Sequence, residues 1–217
     1  MTLEFRCAAF LFDLDGVLVD SRTVVERTWR RWAAERHPID VVKLLHVAHG
    51  RRARDTLLIM APSLATDAEV AWLDATELAD VEGLRVLAGA KELLSALPRN
   101  RWAIVTSCGR DLARLRLGAV GLPAPDVVIV AEEVKRGKPA PDGYRVGAER
   151  LGYEPSDCIV FEDAPAGVAA GKAAGARVLA LTTNYAPGDL NKADATIADL
   201  RSIQVRPEND AFVVTVQ

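Results

Sequence analysis

Leu11-Phe12-Asp13-Leu14-Asp15-Gly16 carries two carboxylates at i and i+2. An apolar run leads into them, so both stand at the end of a buried strand and emerge on the same side. Like charges that close repel, and they coexist only with a shared proton or a cation. A hard divalent cation such as Mg2+ is the natural partner, because it typically takes one or two carboxylates plus a substrate phosphate. The competing role is capping of a following helix by one of the acids. A second acid pair, Glu162-Asp163, ends the run Cys158 to Phe161, and there too helix capping by Asp163 competes with metal ligation.

Two polar stretches could complete such a site. Ile104-Val105-Thr106-Ser107-Cys108-Gly109 sets hydroxyls and a flexible backbone at a strand terminus, suited to a phosphate contact or to the N-cap of a helix near Asp111. Lys135-Arg136-Gly137-Lys138-Pro139 clusters cations in a loop. It is not a P-loop, since the upstream glycine and the Ser/Thr that would hold magnesium are missing, and a solvated loop is the alternative.

The elements that must position these groups are legible in the apolar runs. Ala8 to Phe12, Trp102 to Val105, Val127 to Val130, Cys158 to Phe161 and Val178 to Leu181 lack alternation, as expected of strands buried on both faces. Helix-period stretches lie between them at Asp111 to Leu117, Tyr144 to Leu151 and Ala166 to Ala174. Alternating strand and helix predicts an α/β core with a Rossmann-like parallel sheet. The Gly167, Gly171, Gly175 spacing fits close packing of a helix on that sheet.

No strand-like run is read between Val17 and Arg85. Val25, Thr28, Trp29, Trp32 and Ala33 mark one helix face, and Thr66-Asp67-Ala68-Glu69 has capping-box spacing ahead of Val70, Leu73 and Val81. The expected organisation is a catalytic core of residues 1–16 and 86–217 with an inserted α-helical cap of residues 17–85, lying over the strand ends where ligands of open α/β sheets bind. Ile203 to Val205 and Phe212 to Val216 predict a terminal hairpin extending the sheet.

Composition narrows the classes. The 217 residues are 50% hydrophobic and 26% charged, with a formal net charge of -3, which suits a folded globular chain without the basic field of a nucleic-acid binder. No run approaches the ~20 apolar residues of a membrane span. Three cysteines without CxxC spacing indicate neither a disulfide framework nor a zinc knuckle. A cytoplasmic protein, monomeric or weakly dimeric, that binds neither nucleic acid nor membrane is expected.

Acid pair, hydroxyl, lysine and second acid pair each fall at a strand carboxyl end, in order. In Asp13 to Val17, Ser107, Lys138 and Glu162-Asp163 the sequence resembles the haloacid dehalogenase-like superfamily of phosphatases, over nearly the whole chain. Trp102 to Ser107, Gly121 to Pro125, Val134 to Pro141, Glu162 to Val168 and His49-Gly50 look like its bacterial hexitol and sugar phosphatases with a helical cap. Val17 stands where threonine is commoner. The resemblance implies an Mg2+-dependent phosphatase of small phosphorylated sugars or polyols. It gives Asp13 as nucleophile and Asp15 as acid, then base. Asp13, the main-chain carbonyl of Asp15 and Asp163 would hold the metal, with Glu162 either bound to it directly or supporting those ligands from behind. Ser107, with Cys108 beside it, and Lys138 would meet the phosphoryl oxygens.

In the cap, His49, Arg51 and Arg52 are candidate substrate contacts, while Glu26 and Asp55 are conceivable contacts that read better as solvated helix faces. His46 and His49 lack a third ligand for a metal pair. A phosphosugar mutase differs only in the fate of the aspartyl phosphate. A dehalogenase has no use for Asp15 and Asp163, a phosphonate hydrolase would rely on Lys43, and a noncatalytic module has no use for the intact acid pairs.

Overall fold

The computed structural model describes residues 3–36 and 38–217. Residues 1 and 2 of the expected core and residue 37 of the expected cap lie outside them. Along the chain, β1 (Leu3–Cys7) turns at Ala8 into β2 (Ala9–Phe12). A short β3 (Val19–Asp20) precedes four helices, α1 (Arg22–Arg36), α2 (Val41–Ala48), α3 (Ala53–Met60) and α4 (Asp67–Leu78), after which β4 (Arg85–Val86) pairs back on β3. Strand and helix then alternate through α5 (Ala90–Ala96), β5 (Trp102–Val105), α6 (Arg110–Ala119), β6 (Val128–Ile129), α7 (Asp142–Leu151), β7 (Cys158–Glu162), α8 (Pro165–Ala174), β8 (Arg177–Leu181) and β9 (Ala195–Ile197). A hairpin of β10 (Ile203–Glu208) and β11 (Ala211–Val216) follows.

Six parallel strands form the central sheet in the order β6-β5-β2-β7-β8-β9. The strand that leads to Asp13 is therefore central, flanked by β5 and β7, and all four of its residues are buried. Its side chains alternate between two cores. Phe10 and Phe12 join Trp102, Ile104, Phe161 and Leu94 on one face, while Leu11 joins Ala103, Val160, Tyr144 and Val168 on the other. Each fully buried large apolar side chain contributes about 1.5–3 kcal/mol, so the strand ends are held by rigid packing on both faces. Gly171 lets α8 approach the sheet, since a Cβ there would stand 2.8 Å from Val178.

The four helices between β3 and β4 have an apolar cluster of their own, built on Trp29, Trp32, Leu44, Leu57 and Leu73. Thr66 caps α4 by accepting the Glu69 N–H at 3.3 Å. The Glu69 carboxylate does not close the capping box, because it accepts from the Trp32 indole at 2.7 Å instead and ties α4 to α1.

Three expectations need correction. The segment between Val17 and Arg85 holds the two-stranded β3–β4 ribbon, and four helices where the periodicity marked two; α2 and α3 are each 8 residues long, too short for a clear period. Val81 lies past the end of α4 and is 49% exposed. The terminal hairpin forms but does not extend the central sheet: β11 pairs antiparallel with β1 in a separate sheet of order β1-β11-β10, because the turn at Ala8 takes β1 out of the parallel sheet. The sixth parallel strand, β9, is only three residues long and carries too short an apolar run to be read. No helix among the described residues is long and apolar enough to cross a membrane, and Cys7, Cys108 and Cys158 are free thiols.

Candidate active site

The carboxyl ends of β2, β5 and β7 bring Asp13, Ser107 and Glu162-Asp163 together, where open parallel sheets bind their ligands. Asp13 directly follows β2, is 2% exposed, and donates its N–H to Phe161 O at 2.9 Å, which fixes it to β7. Lys138 reaches in from the loop before α7. Its ammonium donates to Asp13 Oδ1 at 2.7 Å and to Val105 O at 3.3 Å, and pairs with Glu162 Oε1 at 2.6 Å. All three of its donors are thus engaged, and the solvated-loop alternative for this lysine falls.

Glu162 is held from four sides. Besides Lys138, the Tyr144 hydroxyl donates to Oε1 at 2.5 Å, and the N–H groups of Asp163 and Ala164 donate to Oε2 at 3.1 and 3.4 Å. A Cβ on Gly167 would overlap this carboxylate. Asp163 Oδ2 accepts from the Asn184 amide at 2.6 Å, whereas the buried Oδ1 has no partner. Gly16, at φ +80°, supplies the turn that carries the chain past Asp163, and a Cβ there would overlap the Asp163 carboxylate.

Among the described residues, ligand oxygens of Asp13, Glu162 and Asp163 lie within 4.8 Å of one another. Burial, with Glu162 and Asp15 adding to it against Lys138, pushes the Asp13 carboxyl up to about 7. Burial and then the charges of Glu162 and Asp13 push Asp163 well above the carboxylate range. Burial disfavours the Lys138 charge, but Asp13 and Glu162 outweigh it and hold the ammonium above its usual range. Three buried carboxylates against one ammonium, with an unpartnered Asp163 oxygen, fit a hard divalent cation bound by oxygen.

Asp15 lines the cavity beside this cluster, and its side chain turns to Ser21 Oγ at 2.6 Å and Arg116 at 2.5 Å. Ser107 Oγ donates to Gly50 O at 3.0 Å. Cys108 also lines the cavity, and burial pushes its thiol up to about 12, so it remains a neutral contact. His49, Arg51 and Arg52, in the loop between α2 and α3, border the same cavity of about 280 Å³. Arg51 donates to Val47 O at 3.1 Å. Arg52 is bidentate to Asp55, at 2.7 and 3.0 Å, and reaches Val134 O at 3.2 Å, so Asp55 engages Arg52. Burial holds His49 below its ordinary range. His46 stacks edge-on to Tyr185, Glu26 pairs with Arg22 and Arg30, and Lys43 is exposed.

Sequence reasoning missed Arg116, Asn184, Tyr144 and Glu77. Asn184 follows the run Val178 to Leu181, and that position past a strand carboxyl end is the signal that would have found it. The others read as ordinary helix residues.

The parallel sheet and the buried acidic centre at its strand ends define an α/β protein with a candidate metal- and phosphate-binding centre. The family model for haloacid dehalogenase-like hydrolases matches residues 7–175. Hexitol phosphatase A of Escherichia coli (strain K12) is 45% identical over 215 residues, 96% of this chain and 99% of that protein. Glycerol-1-phosphate phosphohydrolase 2 of Saccharomyces cerevisiae is 35% identical over 197 residues, 84% of this chain and 78% of its own. A crystal structure of β-phosphoglucomutase from Clostridium difficile superposes with a TM-score of 0.78 over 91% of this chain and 93% of that one, at 23% identity, and supports the fold alone. The chain belongs to the haloacid dehalogenase-like hydrolases. It is an enzyme of that hydrolase family.

Proposed function

We propose that the protein hydrolyses small sugar or sugar-alcohol monophosphates, hexitol or hexose phosphates foremost, with Mg2+ as cofactor and through an aspartyl phosphate on Asp13. The observation that carries this reading is the Lys138 ammonium 2.7 Å from Asp13 Oδ1 within the cluster of Asp13, Glu162 and Asp163. The relatives that cover most of this chain are named for hexitol and glycerol phosphates. A cavity of about 280 Å³ suits such a ligand, since small-molecule pockets start near 300 Å³, and a macromolecule would not enter it.

Asp13, Asp163 and the main-chain carbonyl of Asp15 would hold Mg2+. Glu162, whose oxygens already meet four donors, stands behind them and fixes Lys138. When bound, the ion supplies positive charge that offsets the carboxylates and the substrate dianion. Asp13 attacks phosphorus; the bond from Oδ to phosphorus forms as the bond to the leaving oxygen breaks, and Asp15 gives that oxygen its proton. Asp15 then takes a proton from the water that attacks the aspartyl phosphate, releasing phosphate and restoring Asp13. Lys138 and Ser107, each giving up one of its present acceptors, donate to the phosphoryl oxygens as negative charge shifts among them. Residues 17–85 act as a cap that covers the site and excludes water, over a core of residues 1–16 and 86–217.

A phosphosugar mutase would share every step up to the aspartyl phosphate, so the test separates the two. Phosphate release with Mg2+ from a panel of hexitol, hexose and glycerol phosphates, a nucleotide and a phosphopeptide should favour the small polyol esters and cease with EDTA. Net isomerisation without phosphate release, or preference for the phosphopeptide, overturns the reading.

A further inference from the structure

Arg116, near the end of α6, is the only arginine buried among the described residues, at 3% exposure. One arm of its guanidinium meets Asp15 Oδ2 at 2.5 Å, the other meets Glu77 on α4, and Nε has no partner. A buried ion pair is a weak stability device, because an apolar side chain of similar volume does as well or better. The position of this arginine is explained by what it holds.

We propose that Arg116 is a positioning residue for Asp15, and that Glu77 makes that positioning conditional on α4 being seated against α6. The inference rests on the reading of Asp15 as the proton-transfer group. Asp15 lies on no regular element beyond an isolated bridge to Val19, so the backbone alone leaves its side-chain torsions free. Two buried donors remove that freedom, Ser21 Oγ, between β3 and α1, on Oδ1 and Arg116, on α6, on Oδ2. The two carboxyl oxygens offer about four sites; Ser21 and Arg116 engage one on each oxygen, and one on each is left for the cavity that Asp15 lines, where the proton to be transferred is carried. The plane of the carboxylate is thereby fixed, as a proton transfer demands.

Glu77 supplies the second half of the device. It belongs to the helical segment, whereas Arg116 lies on α6 beside the central sheet and Asp15 just beyond the end of β2. With α4 seated, Arg116 is pinned at both arms. When α4 withdraws, one arm loses its anchor and Asp15 loses a fixed donor, so the acid is aligned only while the site is covered and water is excluded.

The test compares kcat/KM for an alkyl ester, sorbitol 6-phosphate, with that for p-nitrophenyl phosphate, whose leaving group departs without a proton. Asp15→Asn, Arg116→Met and Glu77→Gln are assayed with Mg2+, alongside thermal melts. General-acid catalysis contributes about 10²–10⁴-fold, so Arg116→Met should lower the alkyl value about 100-fold and Glu77→Gln about tenfold, while the aryl value falls less than about threefold. Asp15→Asn should show the same selectivity more strongly. If Arg116→Met does not fold, Glu77→Gln, which keeps the arginine paired with Asp15, carries the test. Parallel loss on both esters in the Arg116 and Glu77 variants, with Asp15→Asn still selective, overturns this inference alone. Parallel loss in Asp15→Asn overturns the acid role and this inference with it.

Discussion

Ser107 Oγ donates to the main-chain carbonyl of Gly50 at 3.0 Å, so the hydroxyl beyond β5 is bonded to the loop between α2 and α3. A hydroxyl has one proton, and a phosphoryl oxygen receives it only when Gly50 gives it up. Substrate binding therefore exchanges a neutral hydrogen bond for a charge-assisted one. Ser107→Ala should lower kcat/KM about tenfold, the difference between a bond of about 1.5–3 kcal/mol and one of about 0.5–1.5 kcal/mol. Steady-state kinetics on a hexitol phosphate check this, and a change below about twofold removes Ser107 from the phosphate site.

The raised carboxyls have a signature in stability. The folded, metal-free protein holds protons on Asp13 more tightly than the unfolded chain does, so stability falls as pH rises from the ordinary 3.8 through about 7. Asp163 and Glu77 act in the same sense. His49, held low by burial, acts oppositely below its ordinary 6.5, so the diagnostic is the difference from Asp13→Asn. In EDTA the wild type should lose more melting temperature than Asp13→Asn between about pH 5.5 and about pH 7.5. Mg2+ should raise the wild-type melting temperature more at the higher pH.

Asn184→Ala removes the donor that orients Asp163 through Oδ2 at 2.6 Å. Partners of this kind typically carry about 10–100-fold of metal affinity. Calorimetric titration of the apoprotein with Mg2+ should show a loss of that size with little change in secondary structure. Unaltered affinity would exclude Asp163 from the metal centre.

Two helical glycines should respond with opposite signs. Gly118, on α6, has nothing within 4 Å of a built Cβ, so Gly118→Ala should stabilise by up to about 1 kcal/mol through helix propensity. Gly167→Ala carries the same propensity gain, but its methyl would overlap the Glu162 carboxylate, a buried group held by four donors. Displacing such a group costs about 1–3 kcal/mol per unsatisfied partner, so Gly167→Ala should melt lower and lose activity. Denaturant titrations of the two variants measure both signs.

What could be read from the residues was whatever is local. Parallel strands buried on both faces print continuous apolar runs, and the acids at their ends stand beside those runs, so Asp13, Asp15, Glu162 and Asp163 were found with their strands. Arg116 meets Asp15 across a separation of 101 residues and reads alone as a basic residue in the last turn of a helix. Tyr144 has the spacing of a core aromatic, which it also is, and its hydrogen bond to Glu162 depends on how α7 crosses the sheet. The hairpin was legible, but its partner β1 was not, because the turn at Ala8 follows from the packing of two sheets.

The central place of β2 has a consequence for synthesis. It is the first parallel strand to leave the ribosome, yet its neighbours end at Val105 and Glu162, and β1 just before it awaits β11. Until Val105 has emerged, Ala9-Phe10-Leu11-Phe12 is an unpaired, uncharged apolar segment of a nascent chain, and until Glu162 has emerged one of its edges stays open, the kind of strand edge that recruits other chains. The arginine and the two aspartates that bracket it, Arg6, Asp13 and Asp15, place charge on both sides of the segment during that interval. The nucleophile thus belongs, before it ever meets a substrate, to the flanks that keep its own strand from associating too early.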